Sequence, residues 1–263
     1  MEKATPFTSF VALGDSFTEG MSDQGPDGSY RGWADLVAAR LAGRAPGFRY
    51  ANLAVRGKLI GQIAAEQVPV AAAMNADLVS LVGGINDVLR PKCDVGLVCA
   101  RLEEAAETLA PTTRQLVLFR STDPTRRMRG SARLLPRVER LHALLDDLAR
   151  RHDAVVVDLF GVRVFDDPRL WAEDRLHLNT EGHRRVAEAT LRALGYPPSF
   201  DWTAPLPPAG SASWADQRRA DLRWARVYLG PWIGRRLTGR SSGDGRAAKR
   251  ADLEPWTSGP ASV

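Results

Sequence analysis

Cysteine is scarce in this 263-residue chain, where Cys93 and Cys99 are the only two. Two thiols six positions apart, with no histidine beside them, exclude a disulfide scaffold and make a poor metal site. They read as incidental thiols or one optional loop bridge, and no metal or cofactor is expected. Long apolar runs are missing as well. Nothing approaches the roughly 20 residues needed to span a bilayer. Met1-Glu-Lys-Ala-Thr-Pro6 leads almost directly into apolar sequence, without the basic region and apolar segment of an export signal, so a cytoplasmic protein is expected. A strong charge imbalance is lacking over most of the length. The formal net charge is +5, but the residues from Asp201 onward hold ten Lys/Arg against six Asp/Glu, which leaves the first 200 residues close to neutral. The basic character belongs to the tail, and the body has no nucleic-acid signature.

What is present is a core-forming alternation. With 44% hydrophobic residues the chain can bury a large core. Apolar runs at Phe10–Leu13, Phe48–Leu53, Asp77–Val82, Gln115–Phe119 and Ala154–Leu159 read as five strands. Helical spacing follows at Arg31–Leu41, Leu59–Met74, Val95–Leu109, Leu134–Arg151 and Thr180–Leu194. Strands alternating with helices imply a mostly parallel sheet covered on both faces, a three-layer α/β/α architecture. Residues 1–195 form the expected main domain and 196–263 an extension.

Several loops leaving these strands carry chemistry. Gly14-Asp15-Ser16 breaks off the first strand, and in open α/β sheets ligands bind outside the carboxyl ends of strands. Ser16 could be a nucleophile, or simply a helix cap. The polar loop from Ser22 to Ser29 suits the rim of a pocket. Asp174-Arg-Leu-His177 places a carboxylate and an imidazole three residues apart, so that Asp174 can fix the His177 tautomer while His177 takes the Ser16 proton. The Ser16 and Gly57 backbone N–H groups and the Asn86 amide could bind an oxyanion. Taken singly, Asp174 is as much a capping residue and Asn86 as much a turn residue. His183 sits in a helix and suits packing or capping, and His142 and His152 read as structural or solvated. Arg126, Arg127 and Arg129 form a solvated loop, or greet an anionic substrate group at the same sheet edge. No Gly-x-Ser-x-Gly elbow surrounds Ser16, which argues against the α/β-hydrolase fold. Gly57-Lys58 lacks the upstream glycine and the Ser/Thr of a phosphate-binding loop.

Four of these blocks together resemble the SGNH, or GDSL, hydrolases. Gly14-Asp15-Ser16 with Phe-Thr-Glu-Gly20 is similar to the first block, Asn52-Leu-Ala-Val-Arg-Gly57 to the second, Gly84-Ile-Asn86-Asp87 to the third and Asp174-Arg-Leu-His177 to the last. The resemblance covers about residues 8–195. It implies a flavodoxin-like five-stranded sheet and hydrolysis of an ester or thioester through an acyl-enzyme. It also implies a small-molecule ester substrate and no metal. An acyltransferase with the same triad, or a silent ligand-binding module of the same fold, stays open.

The extension is unlike the rest. Five of the seven tryptophans, Trp202, Trp214, Trp224, Trp232 and Trp256, lie in it. Tyr196–Gly210 is a Pro-rich strap. Ser213–Leu229 reads as a helix with Leu222, Ala225 and Leu229 on one side and Arg218, Arg219, Arg223 and Arg226 over the rest, ended by Gly230-Pro231. A short piece from Trp232 to Leu237 follows, and Arg240–Arg246 reads as exposed or disordered. Aromatic residues beside arginines suit a peripheral membrane contact. They equally suit a helix docked on the core with its arginines in water, a lid, or an oligomer contact.

Overall fold

The computed structural model describes residues 5–25, 28–127, 130–210, 213–231, 234 and 241–257. Arg129, Trp232 and Arg240 therefore lie outside the described residues, as does most of the piece from Trp232 to Leu237. The five expected strands are present as β1 Ser9–Leu13, β2 Arg49–Asn52, β3 Leu78–Leu81, β4 Gln115–Arg120 and β5 Val155–Asp158. All pair in parallel, with Val11 opposite both Ala51 and Val79, and Leu118 opposite Val156.

A sixth strand, β6 Arg250–Pro255, comes from the extension and runs antiparallel on the free edge of β2. The sheet is therefore six strands in the order β5-β4-β3-β1-β2-β6, mostly parallel, where the sequence reading stops at five. The order reverses at β1. Crevices form at such switch points, so the loop after β1 lies where a doubly wound sheet binds its ligands.

Helices α1 Ser16–Glu19 and α2 Gly32–Ala42 precede β2; α3 Ile60–Glu66 and α4 Val68–Met74 follow it. Leu59–Met74 reads as one helix, but Pro69 has no N–H for the ladder and the chain restarts at Gln67. The break has a use. The Gln67 side chain accepts from Gly14 N at 2.8 Å and donates to Gly14 O at 2.9 Å, which fixes the exit of β1 from the helix layer. Next come α5 Ile85–Val88, α6 Val95–Leu109, α7 Leu135–His152 and α8 Thr180–Ala193. One face of the sheet packs its Val11, Leu13, Val79 and Leu118 under α3, α4, α6 and α7. The other packs Phe10, Ala12, Val117 and Val157 under α2 and α8. These are the three layers that the alternation predicts. Among the described residues no helix is long and apolar enough to cross a membrane.

The extension is tied to the body along its length. Arg185 of α8 donates to the Trp202 and Ala204 carbonyls at 2.7 Å each, and Glu188 accepts from Ser199 N at 2.8 Å, which holds the strap. Helix α9 Trp214–Trp224 widens into a π-helical segment, Ala225–Leu229. Lys249 then drives its ammonium inward, donating to the carbonyls of Glu19, Tyr30 and Arg31 at 2.7–2.9 Å and to Asp35 Oδ2 at 2.6 Å. Trp256 closes the run against the ring of Tyr50 at 5.5 Å.

Candidate active site

Each chemical block falls at the carboxyl edge of the sheet. Ser16 opens α1 directly after β1, and the Asp15 side chain caps that helix by accepting from Phe17 N at 3.1 Å. Gly57 sits in the turn after β2 with φ +75°, a left-handed conformation that disfavours side chains. Asn86 lies on α5, which Gly84 caps after β3. Asp174 and His177 occupy a turn before α8.

Folding brings the distant ends together. His177 Nε2 is 3.0 Å from Ser16 Oγ, across 161 residues of chain, and His177 Nδ1 is 2.5 Å from Asp174 Oδ2. A carboxylate only accepts, so Nδ1 carries the proton there and Nε2 offers its lone pair to the serine hydroxyl. The other oxygen of Asp174 accepts from the backbone N–H groups of Leu176 at 2.9 Å and His177 at 3.0 Å. Burial works to raise this carboxyl, but the His177 ring and those N–H bonds outweigh it and hold Asp174 below its ordinary range. Asp174 thus caps its own turn and orients the imidazole at once.

The opposite wall joins the other two blocks. Asn86 Nδ2 donates to Asp15 Oδ2 at 2.9 Å and to the Lys58 carbonyl, next to Gly57, at 3.1 Å. Asp15 is buried, and desolvation raises its carboxyl to about 6 against the opposing Phe17 N–H bond. Asp87 is raised too, by burial, while it accepts from Ile60 N at 3.0 Å. Glu19 and Arg56 form a buried pair that links the first two blocks. Glu19 accepts from Arg56 N at 2.7 Å and from Arg56 Nε at 3.0 Å, with Arg56 Nη2 against the same carboxylate. The Arg56 guanidinium also lies 4.6 Å from the ring centre of Tyr30, just past the Ser22–Ser29 loop.

Some contacts to the catalytic-looking turn come from residues the sequence did not single out for it. Trp224 Nε1 of the extension donates to the Asp174 carbonyl at 2.8 Å, and Arg175 pairs with Asp221 at 2.7 Å. Arg127 lies over the Trp171 ring at 3.3 Å and donates to the Arg175 carbonyl at 3.1 Å; burial pushes its guanidinium down to about 10. Arg126 is occupied by Asp123 at 3.1 Å and Asp166 at 3.4 Å. Cys93 and Cys99 are both free thiols, half-buried. Among the described residues no group of His, Cys, Asp and Glu could hold a metal ion.

His183 is a buried structural histidine. Its Nε2 donates to the Met21 carbonyl at 3.1 Å and its Nδ1 accepts from Trp33 N at 3.3 Å, which braces the rim loop. Burial lowers its pKa to about 4, so the ring is neutral in the folded state. The unfolded chain takes up this proton near 6.5, hence stability is full above that pH and falls as pH drops toward 4. The penalty reaches about 3 kcal/mol. Urea unfolding at pH 7 and pH 4.5 should show a smaller acid loss for His183→Gln than for the parent; equal losses would refute the assignment.

A mostly parallel α/β/α sheet with a hydrogen-bonded Ser, His and Asp at its switch point defines a hydrolase of the SGNH class. The chain belongs to the GDSL-like lipase/acylhydrolase family, whose model matches residues 12–185. No curated protein matches it in sequence. Solved structures do. LAE5, an α/β hydrolase enzyme from the metagenome of Lake Arreo in Spain, is 26% identical with a TM-score of 0.58, covering 73% of this chain and 96% of its own. The acetyl-xylooligosaccharide esterase Axe2 of Geobacillus is 20% identical, with a TM-score of 0.56 over 74% of this chain and 97% of its own. Esterase EstA from Pseudoalteromonas is 15% identical, with a TM-score of 0.56 over 72% and 97%. The last two share the fold. Family membership supports ester hydrolysis.

Proposed function

We propose that this chain is a serine esterase that cleaves carboxylic esters or thioesters through an acyl-enzyme. The observation that carries the reading is the unbroken relay from Ser16 Oγ to His177 at 3.0 Å and on to Asp174 at 2.5 Å. Ser16 Oγ attacks the substrate carbonyl carbon while its proton passes to His177 Nε2, and Asp174 stabilises the imidazolium that forms. The tetrahedral intermediate collapses, the carbon–leaving-group bond breaks, and His177 returns the proton to the departing alkoxide or thiolate. Water repeats the sequence on the acyl-serine, releasing a carboxylic acid and restoring the Ser16 hydroxyl.

The negative oxygen of each intermediate is assigned to the Ser16 and Gly57 N–H groups and the Asn86 amide. At rest Asn86 spends both amide protons, on Asp15 and on the Lys58 carbonyl. The second contact is the longer and joins two neutral groups, so an oxyanion displaces it readily. Asp15 keeps its grip on the other proton and holds the amide in place. Asn86→Ala is expected to lower kcat by roughly two to three decades, with KM little changed and the fold intact. Steady-state kinetics on a short aryl ester test this, and full kcat in the variant would remove Asn86 from the oxyanion site.

A further inference from the structure

Helix α9 and its π-helical continuation present a surface that this chemistry does not use. No residue of α9 is buried. Its inner side meets the body through half-buried Trp224, Ala225, Tyr228 and Leu229. It also makes polar contacts with the turn that carries His177. Trp224 bonds the Asp174 carbonyl, Asp221 pairs with Arg175, and Tyr228 donates to Glu173 at 3.1 Å.

The outer surface has a different character. Among the described residues, six large hydrophobic side chains are exposed, and three lie on this segment: Trp214 at 73%, Leu222 at 72% and Val227 at 49%. A fourth, Leu176 at 41%, is on the turn that α9 holds. Trp214, Arg218 and Leu222 follow one another at intervals of four and form a single stripe along α9. Exposed Arg218, Arg219 and Arg226 are interleaved with them. From Trp214 to Leu229 there are four arginines against Asp216 and Asp221. Arg219 faces Asp216, Arg223 faces Glu173, and Asp221 is met by Arg175 from the body.

We infer that this outer face docks on an anionic lipid surface. Apolar and aromatic side chains reach the boundary between headgroups and acyl chains, while arginines among them meet the negative surface potential. A second copy of the chain is a poorer occupant, because two such basic faces repel. Since α9 grips the turn bearing His177, docking sets the Ser16 site beside the bilayer. Esters that partition into lipid then become the substrates it meets, a step that rests on the esterase reading above.

Vesicle co-sedimentation with the full chain tests the docking. The protein should sediment with phosphatidylglycerol/phosphatidylcholine vesicles, stay in solution with phosphatidylcholine alone, and be released as salt rises. Leu222→Asp combined with Arg219→Glu and Arg226→Glu should weaken partitioning by at least roughly tenfold, while turnover of a water-soluble aryl ester is retained. Trp214→Ser with Leu222→Ser is a milder pair that makes the same test should the triple variant fail to fold. Ser16→Ala should sediment like the parent, which keeps failure of docking separate from failure of the esterase reading. A parent protein indifferent to anionic vesicles overturns the proposal, and so does undiminished binding by the variants. Outer-face substitutions that convert a dimer to a monomer, without vesicle binding by the parent, would also overturn it and make the face an interface between copies.

Discussion

Ser16→Ala is expected to abolish labelling by a fluorophosphonate probe and to lower turnover of a short aryl ester by about six orders of magnitude. The size follows from how the three side chains act. Without the hydroxyl there is no acyl-enzyme, and His177 has no nucleophile at 3.0 Å to deprotonate. What survives is binding and oxyanion stabilisation, which can assist direct attack by water. His177→Ala should fall nearly as far, because a neutral serine hydroxyl is a weak nucleophile without its base. The double variant should be no slower than either single one, since parts of one relay fail together. Asp174→Asn should cost less than either, as it disturbs the tautomer but leaves nucleophile and base in place. Labelling that persists in Ser16→Ala would place the nucleophile elsewhere.

Glu19→Ala is expected to destabilise the fold by about 3–5 kcal/mol, a fall of roughly 10 °C in melting temperature for a chain of this size. Glu19 and Arg56 are both buried, and each is the other's counter-charge. Removing the carboxylate strands a guanidinium in the interior and leaves Arg56 N without its acceptor at 2.7 Å. The pair itself gives little net stability, because both ions were taken out of water to form it. Glu19→Met with Arg56→Met should therefore recover most of the loss. Turnover adds a second readout. Arg56 precedes Gly57, and Glu19 lies on the helix that Ser16 opens, so the pair sets the spacing of the two backbone N–H groups proposed to bind the oxyanion. A double variant that is stable yet slow, with kcat reduced more than KM, is the expected outcome in kinetics and thermal melts. A single Glu19→Ala that melts with the parent would show the pair to be dispensable.

The layers were readable because the parallel strands are mostly buried, β1 and β3 at every residue, and so appear as short apolar runs, and because the four blocks keep their order along the chain. The site was readable in the same way: Asp174 and His177 announce each other by a spacing of three. β6 was not. Arg-Ala-Asp-Leu-Glu-Pro is an edge strand, mostly exposed, with a proline where no ladder bond is needed, and nothing in its pattern separates it from loop. Lys249 was hidden because its meaning lies in backbone carbonyls, which every residue has. Trp224 looked like one more aromatic residue in a basic tail until the fold placed it on Asp174. The broken helix at Gln67 follows from Pro69, a signal present in the sequence that periodicity alone passes over.

The Lys249 cage has a consequence for the order in which the molecule is completed. Its ammonium gathers Glu19, Tyr30, Arg31 and Asp35 from more than 200 residues upstream, and β6 then covers the open edge of β2. On the ribosome the first half of the sheet is made long before either arrives. Through that interval β2 shows unpaired N–H and C=O groups to its surroundings, the kind of edge that invites pairing with another chain. The turn ahead of α2 also waits for the lysine that its Tyr30 and Arg31 carbonyls bind. That edge of β2 therefore stays open through most of synthesis, until β6 arrives to seal it.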